Sequence, residues 1–529
     1  MNKELFELDK LFKLNKFEEV VSKTQKLIKS GNIIPPFYNL RGVSLENIGQ
    51  NDKAIKNFQE AIQKDPNEIS YYSNLARILI KQNELEKAED ILSKALIIKP
   101  DDTYSLFEYG KIRKIQKKQL KALEYFEKVY KINPNFPNSL FQIAKTNLEI
   151  SQDTEDLKYK KTAKEKLLKC SKLFPENVDA DFLLSEIFNY TNEKKHQQLM
   201  LNKVSNLNFS SNRQKSVLLF SIAKSYEDQK KYDQASEFLN LANREMNKNI
   251  EKNLIFKYSK RFENLKLLFD KIINIKSYKN ENLYDRKIIC IVGMPRSGTT
   301  LLHQLIAASN DVEGIGESSV IPSFFEDNIF SKDFFSNINK DDKFNKNYLL
   351  KISNFLGNKF DKIKLTDKKI IVDKNPSNFF WIGFIKLIFP NAKIIHIKRN
   401  LKDVCLSVYK NIFGVDEMNW SYNQKNIIDY VKIYLKIMDY WKFKYTDYIY
   451  EINYENLINN RSDETKKLFS FCSLDWSEDI FNYYKTGKTI RTASLYQVKK
   501  PMYKSSLNVS KNYTNYLTFL NEIDRLKIN

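Results

Sequence analysis

Residues 287–305 read KIICIVGMPRSGTTLLHQL: an apolar, β-branched run, a turn bounded by Gly293 and Gly298, then an amphipathic stretch. A buried strand feeding a glycine-bounded turn and a helix is the layout of a phosphate-binding loop. Successive backbone N–H groups of residues 296–300 would curl around an anion at the start of that helix, where the dipole also favours negative charge. Thr299, however, stands where a nucleoside-triphosphate loop carries lysine, and no nearby carboxylate suits a magnesium ion. Arg296 brings a delocalised cation instead, and Thr299 and Thr300 add hydroxyl donors. The loop therefore suits an anion of lower charge than a triphosphate, held without a divalent metal.

Downstream the same alternation continues. KIIVDKN, AKIIHIKR and YIYEINY read as buried strands, and TTLLHQLIAAS, FFWIGFIKLIF, LKDVCLSVYKNI and NIIDYVKIYLKIMDYWKF read as helices. Strands alternating with helices predict an α/β domain with a parallel sheet over residues 285–529, with ligands at the carboxyl ends of the strands.

Upstream the pattern differs. Pro66, Pro100 and Pro134 lie 34 residues apart, as do Ala54, Ala88 and Ala122, and the series Gly42, Ala76, Gly110 and Ala144 keeps the same interval. Small residues at fixed points let paired helices cross closely, and the proline stops the second helix of each pair. The phase slips before Ala163 and Pro175 and returns at Ala223, Ala235 and Ala242. The expectation is an all-α helical-hairpin array over residues 1–245, then a lysine-rich linker, helical or irregular, over 246–284.

The formal net charge of +22 is spread along 529 residues without an arginine-rich block, which argues for a general bias rather than a nucleic-acid surface. The four cysteines form no C-x-x-C pair, so neither a disulfide framework nor a zinc site is expected. No apolar run is long enough to span a bilayer, and the charged amino-terminal stretch lacks a signal-peptide core. A cytoplasmic location is expected.

The 34-residue period with its small-residue series resembles the tetratricopeptide repeat family, and that resemblance implies a superhelix whose concave face binds peptides or partner proteins. GMPRSGTTLL resembles the 5′-phosphosulfate loop of the P-loop-like sulfotransferases, and IIHIKRNLKDVCLSVY resembles their 3′-phosphate element, an arginine followed eight residues later by serine. GESSVIP, DKNP, INYENLI and TASLYQVKKPMY follow in the order seen in tyrosylprotein sulfotransferases. The two halves together resemble the bacterial tetratricopeptide-repeat sulfotransferases. The resemblance implies 3′-phosphoadenosine 5′-phosphosulfate as co-substrate, no metal, and an acceptor hydroxyl. It makes Glu317 the catalytic base and puts Lys374, Arg296 and Ser494 near the transferred group. It assigns the donor to Arg296, Ser297, Gly298, Thr299, Thr300, Arg399, Ser407, Tyr454 and Lys500.

The sequence departs from those relatives at two places. Leu401 follows Arg399 and Asn400 where a proline is usual, and Asn508, Val509 and Ser510 stand where a glycine-arginine-tryptophan segment closes over the donor. His196, His303 and His396 read as structural, and strand alternation should turn Asp373 away from its neighbour Lys374. The acceptor stays open among a peptide tyrosine, a saccharide and a lipid-linked glycan. Two other readings stay open as well: a repeat-based protein-binding scaffold with an inactive sulfotransferase-like domain, and a P-loop nucleotide phosphotransferase.

Overall fold

The structure is a computed structural model that describes residues 3–136, 138–248, 250–251, 253–271, 284, 286–328, 346–363, 367–485 and 501–526. Internal contacts divide the chain into two compact units, residues 1–187 and 188–529.

The first unit consists of paired helices. Pro35–Asn47 pairs with Asn51–Lys64, Ile69–Lys81 with Leu85–Ile98, and Thr103–Ile115 with Gln119–Ile132. Ala54, Ala88 and Ala122 are fully buried in the second helix of each pair. The small series in the first helices has a direct steric cause: a Cβ on Gly42 would lie 2.6 Å from the Phe58 ring, and one on Gly110 would lie 2.5 Å from the Phe126 ring. Each repeat proline stands two residues past the end of the second helix of its pair, where the missing N–H cannot extend the helix.

The second unit holds a five-stranded parallel sheet: β1 (Lys287–Val292), β2 (Val312–Gly316), β3 (Ile370–Asp373), β4 (Lys393–Lys398) and β5 (Ile449–Asn453), in the order β2-β3-β1-β4-β5. β1 pairs with β3 through Cys290 and Asp373 and with β4 through Cys290 and Ile394. Its residues alternate between two cores. Ile288, Cys290 and Val292 pack on one face with Trp381, Trp420 and Trp441, while Ile289 and Ile291 pack on the other with Leu302, Leu305 and Phe469. Burial on both faces is why the strands read as continuous apolar runs.

The helices Lys194–Asn206, Asn212–Asp228, Tyr232–Asn247 and Leu254–Lys271 belong to this second unit. Ala223, Ala235 and Ala242, which keep the repeat's small-residue pattern, share one core with the sheet, as do Leu265 and Phe269. Asn243 donates to the Tyr409 carbonyl at 2.9 Å, and Tyr409 donates its hydroxyl to Asn240 at 2.8 Å. The repeat phase thus runs past the boundary between the compact units. The region expected as a linker contains the 18-residue helix Leu254–Lys271.

Candidate active site

Each of the five strands delivers a site residue just past its carboxyl end. β1 leads into the glycine-bounded loop, β2 into Glu317, β3 into Lys374, β4 into Arg399 and β5 into Tyr454. In an open parallel sheet this rim is where ligands bind, and β1, which has neighbours reached from opposite directions, marks the switch point.

The loop has the backbone an anion cradle needs. Gly293 has φ +155° with the Ile397 carbonyl 2.7 Å from where a Cβ would be, and Gly298 has φ +105° with the Tyr454 ring 2.5 Å away. Arg296 adopts φ +71°, a left-handed conformation rare for a residue with a side chain. The helix Thr299–Ala307 starts directly after Gly298, with Thr299 and Thr300 buried at its first turn. The buried Ser297 hydroxyl has no hydrogen-bond partner among the described residues. A buried hydroxyl left this way is costly unless a ligand completes it.

Arg399 and Ser407 are joined to the loop. Arg296 Nε donates to Ser407 Oγ at 3.0 Å, and Arg399 Nη1 donates to the Arg296 carbonyl at 3.0 Å. Arg399 Nη2 donates to the Ser506 carbonyl at 2.6 Å, its guanidinium lies 4.7 Å from the centre of the Tyr454 ring, and its buried Nε lacks a partner among the described residues. Tyr454 and Ser506 pair their hydroxyls at 3.0 Å. Arg296, Arg399, Ser407 and Tyr454, separated by up to 158 positions in sequence, therefore form one network.

Glu317 and Lys374 form the other half. Lys374 is buried, its ammonium is paired with the Glu317 carboxylate, and its N–H bonds the Gly316 carbonyl at 2.9 Å. Burial lowers the pKa of that ammonium, against the pull of Glu317 and Asp373. Glu317 is nearly half exposed and lines the cavity. Asp373 is fully buried and points away from it, accepting from Ser318 N at 3.3 Å and from Asn378 Nδ2 at 2.9 Å; burial pushes its carboxyl up to about 7. His303 Nε2 accepts from Gly316 N at 3.2 Å, and His396 is held between Glu451 and Tyr434. Both are buried supports of the rim. Ser494 and Lys500 lie outside the described residues.

Arg296, Gly298, Thr299, Thr300, Glu317, Arg399, Ser407 and Tyr454 line one cavity of about 700 Å³, a size suited to a nucleotide-scale ligand, whereas Ser297 lines a smaller cavity of about 190 Å³ beside His396. The further walls of the larger cavity were not legible in the sequence. Ser319 lines it just before the helix Val320–Asn328, and Pro322, Ser323 and Glu326 line it from one face of that helix. Glu326 pairs with Arg261 at 2.9 Å, and Arg261 lies 5.3–5.5 Å from the ring centres of Tyr258, Phe380 and Trp381. Tyr258 and Arg261 come from the Leu254–Lys271 helix, whose only advance signal was an aromatic three residues before an arginine. Tyr503 and Ser506 line the larger cavity beside Arg399.

Residues 289–478 match the model described as "Sulfotransferase family", and residues 49–105 and 103–136 match two models described as "Tetratricopeptide repeat". The chain joins tetratricopeptide repeats to a sulfotransferase-family domain. An Aquifex aeolicus (strain VF5) protein described only as "Uncharacterized protein" is 32% identical over 259 residues, 47% of this chain and 34% of its own length. The chain thus spans about a third of that relative. A Caenorhabditis briggsae "Putative protein-tyrosine sulfotransferase" is 24% identical over 200 residues, 38% of this chain and 70% of its own. Among solved structures, the MamA protein is 22% identical, covering 32% of this chain and 96% of its own, with a TM-score of 0.28. Pseudomonas aeruginosa pilF is 16% identical, covering 40% and 90%, with a TM-score of 0.32.

Proposed function

We propose that the cavity transfers a sulfuryl group from 3′-phosphoadenosine 5′-phosphosulfate to an acceptor hydroxyl. The observation that carries this reading is the Arg296–Ser407–Arg399 network, which puts a lysine-free anion loop and a second cation within hydrogen-bond reach of each other. A donor with a phosphosulfate and a separate 3′-phosphate needs two such elements. Arg399 Nε, without a partner among the described residues, fits its oxygens.

In this reading the acceptor oxygen attacks sulfur in line, the bond from sulfur to the bridging phosphate oxygen breaks, and adenosine 3′,5′-bisphosphate leaves. Glu317 takes the acceptor proton. As that carboxylate is neutralised, the buried Lys374 ammonium loses its partner while negative charge grows on the leaving oxygen, so its field turns to the leaving group when it is most needed. Arg296 and the loop N–H groups bear on the same charge, and Ser494 and Lys500 are proposed as further donor contacts.

The acceptor lies along the Ser319–Glu326 face, toward Arg261. A peptide tyrosine and a glycan hydroxyl are both compatible with a wall of rings ending in a charged pair, and the repeats are proposed to recruit the acceptor or its carrier. A cytoplasmic location is part of this reading, and Cys170, Cys290, Cys405 and Cys472 are all buried. The test is incorporation of labelled sulfate from the donor into a library of hydroxyl acceptors. Transfer by the wild type that disappears in Glu317→Gln is expected. No transfer to any acceptor, with the bisphosphate bound, would favour the scaffold reading.

A further inference from the structure

The segment that closes the donor side lacks the glycine, arginine and tryptophan of its relatives, yet it is held firmly by another group. Asp403 lies in the first turn of the helix Leu401–Tyr409, four residues after Arg399, and is almost fully buried. Its Oδ2 accepts from Asn508 N and its Oδ1 from Ser510 N, both at 2.8 Å. Asn508 adopts φ +59°, and the chain then winds into a short 3-10 turn over Val509–Asn512. A left-handed residue followed by right-handed ones makes its N–H groups converge, which forms a concavity for an anion. Here the anion is a side chain of the protein itself.

Beyond Ser510 the chain is anchored by Tyr513 and Leu517, both fully buried. Before it, the chain runs back along the cavity. The Ser506 carbonyl takes one N–H of Arg399, and the Ser506 hydroxyl meets Tyr454. With Nη1 and Nη2 each bound to a backbone carbonyl, the Arg399 guanidinium is fixed, and its Nε, without a partner among the described residues, is left for a ligand.

We infer that Asp403 is a positioning residue: by clamping residues 508 and 510 it holds segment 501–512 as the cover of the donor site and so orients Arg399 toward the 3′-phosphate of a nucleotide. The inference rests on the donor reading above. A carboxylate accepting two backbone N–H groups is a charge-assisted contact that neither an amide nor a hydroxyl reproduces.

Asp403→Asn keeps the shape but offers one acceptor oxygen where two are used. By calorimetry its affinity for adenosine 3′,5′-bisphosphate should fall about 10- to 100-fold, the scale of losing charge-assisted hydrogen bonds. The donor KM should rise while the acceptor KM stays unchanged, a split that a general loss of stability would not give. Lys504 and Lys511 are exposed and open to trypsin. The bisphosphate should slow cleavage there in the wild type and fail to do so in the variant. Equal affinity and equal protection in the two proteins would overturn the inference while leaving the donor reading intact. If the variant does not fold, wild-type hydrogen exchange decides: amides of Asn508 and Ser510 should be slowed by the bisphosphate, and unchanged exchange and cleavage would overturn the inference. Failure of the wild type to bind the bisphosphate at all would overturn the donor reading and this inference with it.

Discussion

Lys374 buries its ammonium against the carboxylate of Glu317, which is open to the cavity on its other side. The two residues come from adjacent strand ends, β3 and β2, and the Lys374 N–H to Gly316 carbonyl bond fixes their register. One exposed carboxylate backed by a buried cation has room to accept a proton from a ligand. Asp373, wholly enclosed beside it, does not.

Glu317→Gln is therefore expected to bind adenosine 3′,5′-bisphosphate as the wild type does while lowering the transfer rate by roughly 10²–10⁴, the usual scale for a general base. Single-turnover kinetics with saturating donor measure this directly. Full activity would move the base elsewhere.

Asp373 makes a separate prediction about stability. Its folded pKa, about 7, lies above the ordinary carboxylate value because burial disfavours the charge. A raised folded pKa means that the native state binds the proton more tightly, so this group's contribution is full below about pH 4 and is lost as pH rises through about 7. In Asp373→Asn that loss is absent. Asn378, whose Oδ1 has no partner among the described residues, can turn its amide to accept from the new one. Melting curves should show the variant gaining on the wild type between pH 4 and pH 7, by up to roughly 4 kcal/mol for three pKa units. A constant difference across that range would show that Asp373 titrates normally.

The wild type should bind adenosine 3′,5′-bisphosphate and bind ATP far more weakly, since the loop has Thr299 in place of a lysine. Arg399→Ala should weaken the bisphosphate by about 1.5–3 kcal/mol, as expected for a hydrogen bond to a charged group. Calorimetry with both nucleotides on both proteins is the measurement, and equal wild-type affinities would refute the donor assignment.

Much of this was written in the sequence because it depends on local pattern. β1, β3, β4 and β5 were legible as apolar runs, and the 34-residue series showed the helical pairs. β2 was not, because Val312–Gly316 contains two glycines and a glutamate and holds an edge with only two buried residues. The Leu254–Lys271 helix read as a linker because its core face is set by distant partners, Phe380 and Trp441 among them, rather than by a clean period of its own. Asp403 was hidden for a similar reason: within its own helix it looks like a first-turn acid, and its partners lie 105 and 107 residues away. Arg399 and Ser407 were legible through the resemblance of IIHIKRNLKDVCLSVY to a sulfotransferase 3′-phosphate element, since an arginine followed eight residues later by a serine is common by itself.

Arg261 tests the acceptor side. Its guanidinium is set among three rings and paired with Glu326, on the wall that continues the helix after Glu317. Arg261→Ala should raise the acceptor KM and leave bisphosphate affinity as it was, because its charged and ring partners are Glu326, Tyr258, Phe380 and Trp381 rather than Arg296, Arg399, Ser407 or Tyr454. A parallel loss of donor binding would mean that the change acts through the fold.

Two truncations separate support from recruitment. Removing residues 1–187 leaves the compact unit that contains the sheet and all of its packed helices, and should give a soluble protein with unchanged bisphosphate affinity. Removing residues 1–245 instead takes away Ala223, Ala235, Leu239 and Ala242 from the core they share with the sheet, and breaks the bonds from Asn240 and Asn243 to Tyr409. That protein exposes apolar surface and should aggregate or melt lower whatever acceptor is present. The shorter deletion then isolates the repeats. If they recruit the acceptor, turnover of a small hydroxyl compound stays near wild type while the KM for the natural acceptor rises, since only uniform binding is lost. Unaltered kinetics on the natural acceptor would remove recruitment as the role of residues 1–187.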